Sequence, residues 1–64
     1  MRRGSLIRRI NRIARTQGVK PIYTEGGSHT HVAVGGRRIT IPRHNEVNEN
    51  TARGILRYLE GDQR

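Results

Sequence analysis

The 64-residue chain contains no cysteine, which closes off disulfides and thiolate metal sites. Phenylalanine and tryptophan are also missing, and Tyr23 and Tyr58 are its only aromatic residues. The core must therefore come from Ile, Leu and Val, in a sequence that is only 31% hydrophobic. Nothing approaches the roughly 18 consecutive apolar residues of a membrane span. The opening Met-Arg-Arg-Gly-Ser leads into no secretory signal, which needs an apolar run of roughly 7–15 residues. A soluble intracellular domain without a membrane partner is expected. Acidic residues are scarce as well: five Asp and Glu stand against 13 Lys and Arg, for a formal net charge of +8.

What the chain does have is arginine. Twelve of the 13 basic residues are Arg, Lys20 being the exception. Arg forks onto phosphate in bidentate fashion and stacks on bases, so a nucleic acid is the expected partner. The length makes one domain, spanning residues 1–64. A domain of this size buries only roughly 60% of the surface exposed by its unfolded chain, so each core residue counts.

Two helical patterns flank a strand-like middle. Leu6, Ile10, Ile13 and Ala14 recur at helical spacing, with Ser5 as the expected N-cap and Gly18 as the stop. Arg8, Arg12 and Arg15 share the opposite face, with Arg9 to one side. A second helix is expected from about Glu49 to Glu60, capped by Asn48 and ended by Gly61. Ala52, Ile55, Leu56 and Leu59 form its apolar face, and Glu49 and Arg53 stand four apart in the favourable order. Gly54 inside this helix suggests a point of close approach.

Between the helices the period falls to two. Strands are expected at Val19–Glu25, Ser28–Val34 and Arg37–Ile41, with Pro21 confining the first to an edge or a strand start. Gly35-Gly36 between alternating runs signals a two-residue hairpin, which fixes the register. Val34 then faces Arg37, Val32 faces Ile39 and Thr30 faces Ile41, and these share one sheet face. His29, His31, Ala33, Arg38 and Thr40 occupy the other, which an antiparallel sheet can leave in water. The expected fold is α+β, with two helices on one face of a three-stranded antiparallel sheet.

Three readings compete for His29, His31 and His44. They can be solvated surface residues. They can share a metal, although no carboxylate or thiolate stands at ligand spacing from them. Or an imidazole can move protons in RNA cleavage, a reaction in which the substrate's 2′-hydroxyl serves as the nucleophile. Arginine then orients the phosphate and offsets its developing charge. Ser28 is not a triad nucleophile, because adjacent strand residues point to opposite faces and no acidic orienter is evident.

The segments Glu25-Gly26-Gly27-Ser28-His29-Thr30 and Arg37-Arg38-Ile39-Thr40-Ile41-Pro42-Arg43-His44 resemble the HicA family of bacterial toxins. The stretch from Asn45 to Leu59 is similar to that family's closing helix and its lead-in, so the likeness runs from Leu6 to Leu59. It implies a fold like the double-stranded RNA-binding domain. It also implies an mRNA interferase activity and a HicB-type antitoxin partner. The family's catalytic histidine lies in Gly-Ser-His, which carries over to His29. His44 matches the Pro-x-His element, in loop support or substrate contact, and His31 belongs to neither motif.

Together these readings give a metal-independent endoribonuclease that cuts mRNA and needs no small-molecule cofactor. His29 is its general acid or base. Arg8, Arg12, Arg15, Arg38, Arg43 and His44 are its candidate RNA contacts. A non-catalytic RNA-binding module of the same fold is the rival. A DNA-binding regulator fits less well, because the helices lack a short helix-turn-helix connection.

Overall fold

The computed structural model describes residues 1–61, in the order α1 (Arg3–Thr16), β1 (Ile22–Glu25), β2 (His29–Val34), β3 (Arg37–Pro42) and α2 (Glu49–Leu59). The strands form one antiparallel sheet in the order β1-β2-β3. The Gly35-Gly36 turn sets the expected register, pairing Val34 with Arg37, Val32 with Ile39 and Thr30 with Ile41. Gly35, the first central residue of the turn, holds φ at +62°, a conformation that costs glycine little.

Burial follows the two periods. Leu6, Ile10, Ile13 and Ala14 of α1 and Ala52, Ile55 and Leu59 of α2 are buried against Val32, Val34 and Ile41 of the sheet. Leu56 and Ile39 are half-buried at the margin of this cluster. Burying one such aliphatic side chain contributes about 1.5–3 kcal/mol. Both helices cover the Thr30-Val32-Val34 face, leaving His29 and His31 exposed on the other. Two hydrogen bonds fix helix positions: Tyr23 Oη donates to Asn11 Oδ1 at 2.6 Å, and Gln17 Nε2 donates to the Leu59 carbonyl at 2.7 Å. Partial burial pushes the Tyr23 hydroxyl pKa above its ordinary value, an effect opposed by nearby Arg3.

Several boundaries differ from the sequence reading. Ser5 is not the cap of α1, which starts three residues earlier than that cap would set it, at Arg3 after Arg2, and has no side-chain cap. The Arg3 N–H donates instead to the Asn45 carbonyl at 2.8 Å, a contact from a distant part of the chain. Ser5 Oγ is thereby left to accept from Arg8 Nη2 at 3.3 Å. The first strand begins at Ile22 rather than Val19, because the Val19 N–H is spent on the Ala14 carbonyl and Pro21 has none to offer. β2 begins at His29, one residue after Ser28, and β3 extends to Pro42. Gly54 is no close-approach point: a Cβ there would meet nothing within 4 Å. The other helix signals hold. Asn48 Oδ1 accepts from the N–H groups of Asn50 and Thr51, and Gly18 and Gly61 end the helices at φ +72° and +86°.

The amino terminus is stitched to the lead-in of α2. The Met1 ammonium donates to Glu46 Oε2 at 3.0 Å, Glu49 Oε1 at 3.1 Å and the Val47 carbonyl at 2.9 Å. The Val47 N–H returns a bond to the Met1 carbonyl at 2.7 Å, and the Val47 side chain is buried. The Glu46 carboxylate, then Glu49, raises the ammonium pKa above its ordinary 8.0, and the ammonium holds Glu49 below 4.5. Glu49 is thus paired with the terminus, while Arg53 acts on it only through its field.

Candidate functional site

The strand alternation that buries Thr30 and Val32 turns His29, His31, Arg38 and Thr40 outward on the helix-free face. Pairing arranges this face in cross-strand rows: Ile22–Ala33–Arg38, Thr24–His31–Thr40 and His29–Pro42. A shallow open depression of about 590 Å³ crosses the first two rows, with Ile22, His31 and Arg38 among its walls. Ile22 is 64% exposed there, the most exposed large hydrophobic residue among the described residues.

His29 opens β2 at the end of the sheet where the Gly26-Gly27-Ser28 loop turns. That loop is a tight reversal closed by the Gly26 N–H donating to the His29 carbonyl at 2.9 Å. Ser28 lies in the bend rather than the strand, so strict alternation does not govern it. Its Oγ sits 3.3 Å from His29 Nδ1, on the same side as the ring, which corrects the expectation that the two side chains point apart. No hydrogen bond within the described residues involves His29 Nε2. A hydroxyl at one ring nitrogen and open space at the other is the arrangement an imidazole needs to exchange a proton with a ligand.

His31 is placed differently. Its Nδ1 lies 3.4 Å from Thr40 Oγ1, and its Nε2 lies 3.1 Å from the point a Cβ on Gly26 would occupy. The ring therefore leans on the loop, and a Cβ at Gly26 would crowd both the ring and the His29 carbonyl, so that one of them would have to give way. His44 is exposed two residues beyond Pro42, the strand partner of His29, so it lies at the same end of the sheet. Among the described residues no three His, Cys, Asp or Glu side chains converge where a metal ion could be held.

The candidate arginines do not form one patch. Arg38 shares the histidine face but stands four strand residues beyond the level of His29, about 13 Å at 3.3 Å per residue. Arg43 lies at the His29 end, and its Nη1 donates to the carbonyls of Gly26 at 3.1 Å and Gly27 at 3.2 Å. Arg8, Arg12 and Arg15 are exposed on α1 opposite its buried face, and so point away from the sheet. The histidines and this stripe occupy opposite sides of a body whose Cα extents are 27 × 23 × 18 Å. An RNA touching both has to pass around an edge.

Sequence reasoning passed over Arg3, Glu25 and Thr30, which together support the loop. Thr30 Oγ1 is fully buried, accepts from Arg3 Nη2 at 2.6 Å and donates to Glu25 Oε1 at 2.9 Å. The signal was present: the hairpin register puts Thr30 on the apolar face, and a buried hydroxyl requires partners.

No family model, curated protein or solved structure matches this chain.

Proposed function

We propose that the chain is an mRNA interferase toxin, a cytoplasmic endoribonuclease that cleaves messenger RNA and halts translation. The observation that carries this reading is His29. Its ring sits on an open sheet face beside a glycine loop, with a hydroxyl at Nδ1 and nothing bound at Nε2. Twelve arginines on a small domain supply the attraction for RNA. The likeness of Gly26–His29 and Pro42–His44 to the HicA toxins supports the same assignment, as does the α-β-β-β-α order expected of a fold like the double-stranded RNA-binding domain.

In the proposed reaction the 2′-hydroxyl of the substrate attacks the adjacent phosphorus and the 5′-oxygen leaves. His29 Nε2 takes the proton from the nucleophile or delivers one to the leaving oxygen. Arginine guanidinium groups offset the charge that develops on the phosphoryl oxygens. Neither a metal nor a small-molecule cofactor takes part. A HicB-type antitoxin binds the protein and blocks the histidine face.

One observation favours the rival reading of a non-catalytic RNA-binding module. No carboxylate or second imidazole is bonded to His29, and Arg38 stands about 13 Å away along the sheet. Cleavage decides between them. Purified protein incubated with labelled RNA in excess chelator yields fragments if the toxin reading holds. Intact RNA under those conditions, with binding retained, leaves the binding module. Cleavage that needs added zinc or manganese would instead return the histidines to the role of ligands.

A further inference from the structure

Arg43 carries the chemistry of a phosphate contact, yet its surroundings give it another task. The Gly26-Gly27-Ser28 loop has no side chains large enough to fix itself. Its shape depends on what holds its backbone. Arg43 Nη1 donates to two successive loop carbonyls, Gly26 O and Gly27 O. Its Nε lies 3.7 Å from Glu25 Oε1. Glu25 Oε1 in turn accepts from Thr30 Oγ1, and Thr30 Oγ1 accepts from Arg3 Nη2. Arg3 Nε donates to the carbonyl of Pro42, the strand partner of His29, at 3.3 Å. A polar chain thus runs from the first turn of α1, through the buried Thr30, to the loop that presents His29, hydrogen-bonded throughout except at the longer ion pair between the exposed Glu25 and Arg43.

We infer that Arg43 is a positioning residue, the outer end of an Arg3–Thr30–Glu25–Arg43 strut that fixes the Gly26–Ser28 loop and with it the His29 ring. A guanidinium is required because one planar group must face a carboxylate with Nε and two carbonyls with Nη1. An ammonium carries its three donors on one atom and does not span the separate positions of Nε and Nη1. The charge balance is also that of a structural element, since Glu25 offsets the positive charge a phosphate would seek. The strut itself is independent of the proposed ribonuclease activity; only its effect on cleavage rests on that reading.

The test uses the full chain with Arg43→Gln, Arg43→Lys and Glu25→Gln. Without RNA, amide exchange of the Gly26 N–H and the NMR signals of Ser28 and the His29 ring report the loop directly. The strut predicts faster exchange at Gly26 and shifted His29 signals in all three variants, with the thermal midpoint near that of the parent. In cleavage, all three lower kcat with little change in KM, and lysine does not rescue. A phosphate contact predicts the reverse: Arg43→Lys behaves like the parent, Arg43→Gln raises KM and flattens the salt dependence, and Glu25→Gln is harmless. Gly26 exchange that stays at the parent rate in Arg43→Gln overturns the strut. A parent protein that fails to cut RNA, but whose loop loosens in Arg43→Gln, keeps the strut and removes only the catalytic reading.

Discussion

Replacing His29 with alanine tests the proposed chemistry separately from folding. The side chain is exposed at the start of β2 on the face opposite both helices, so its loss opens no cavity. Exposed substitutions of this kind change stability by about 0.5 kcal/mol at most. For a domain this small that is a midpoint shift of about 2–4 °C. Removing a general acid or base costs about 10²–10⁴ in rate. At 1.36 kcal/mol per decade, the barrier rises by about 2.7–5.4 kcal/mol. The assay is single-turnover cleavage of end-labelled RNA in chelator, with thermal unfolding and RNA affinity measured on the same preparations. Affinity in His29→Ala is expected to stay close to the parent, because the proposal assigns most of it to the arginines. His31→Ala is the control and retains most activity, since His31 only leans on Gly26 and Thr40. A His29→Ala protein that cuts at the parent rate, with contaminating nuclease excluded, refutes the assignment. So does an inactive His31→Ala beside an active His29→Ala.

Gly54→Ala stabilises the protein by about 0.8–1.0 kcal/mol, since the added methyl meets nothing and alanine favours the helix; a thermal midpoint that does not rise contradicts the open space seen there. Arg8→Glu with Arg12→Glu flattens the salt dependence of RNA binding by about 1.4 in log–log slope, from about 0.7 per phosphate contact on a single strand. Oligonucleotides too short to pass from α1 to the histidine face are cut at an unchanged kcat by this variant, which a shared site would not allow. The Met1 ammonium stabilises the fold fully below its ordinary pKa of 8.0, and this is lost as pH rises through its higher folded value. Glu49 contributes fully above its ordinary 4.5 and loses this as pH falls through its lower folded value. Thermal unfolding across pH in Glu46→Gln with Glu49→Gln loses both dependences; an unchanged alkaline limb would show that the terminus is not the group responsible.

The parts of the fold legible in the sequence are those fixed locally. Gly35-Gly36 determines the hairpin register through turn geometry alone, so the burial of Thr30, Val32 and Val34 follows from it. Asn48 caps α2 with neighbours two and three residues away, and its role could be read for the same reason. Ser5 fails as a cap because Arg3 finds a partner in Asn45, more than forty residues later, and no local pattern encodes that meeting. Val47 escaped notice because a single apolar residue in a loop has no period. At the candidate site, the outward placement of His29 was legible from register. The contact with Ser28 was not, because it depends on where the strand begins. Arg43 reads as an RNA contact from its residue type, which does not reveal carbonyls folded back within its reach.

The stitching of the amino terminus has a consequence for how the molecule comes into being. Arg3 meets Thr30 and Pro42 across separations of 27 and 39 residues, and Met1 meets Glu46 and Glu49 across 45 and 48. A ribosome delivers these residues in order, at roughly 5–20 per second, so Glu49 follows Thr30 by about one to four seconds. The entropic cost of closing such loops grows only slowly with length, so supply of the chain, not search, sets the delay. A nascent chain that ends before Pro42 already carries Gly26, Ser28 and His29. It lacks Arg43 on the loop carbonyls and the Pro42 carbonyl that Arg3 grips. The motif is synthesised before its scaffold, so the geometry around His29 exists only once Pro42 and Arg43 have followed it.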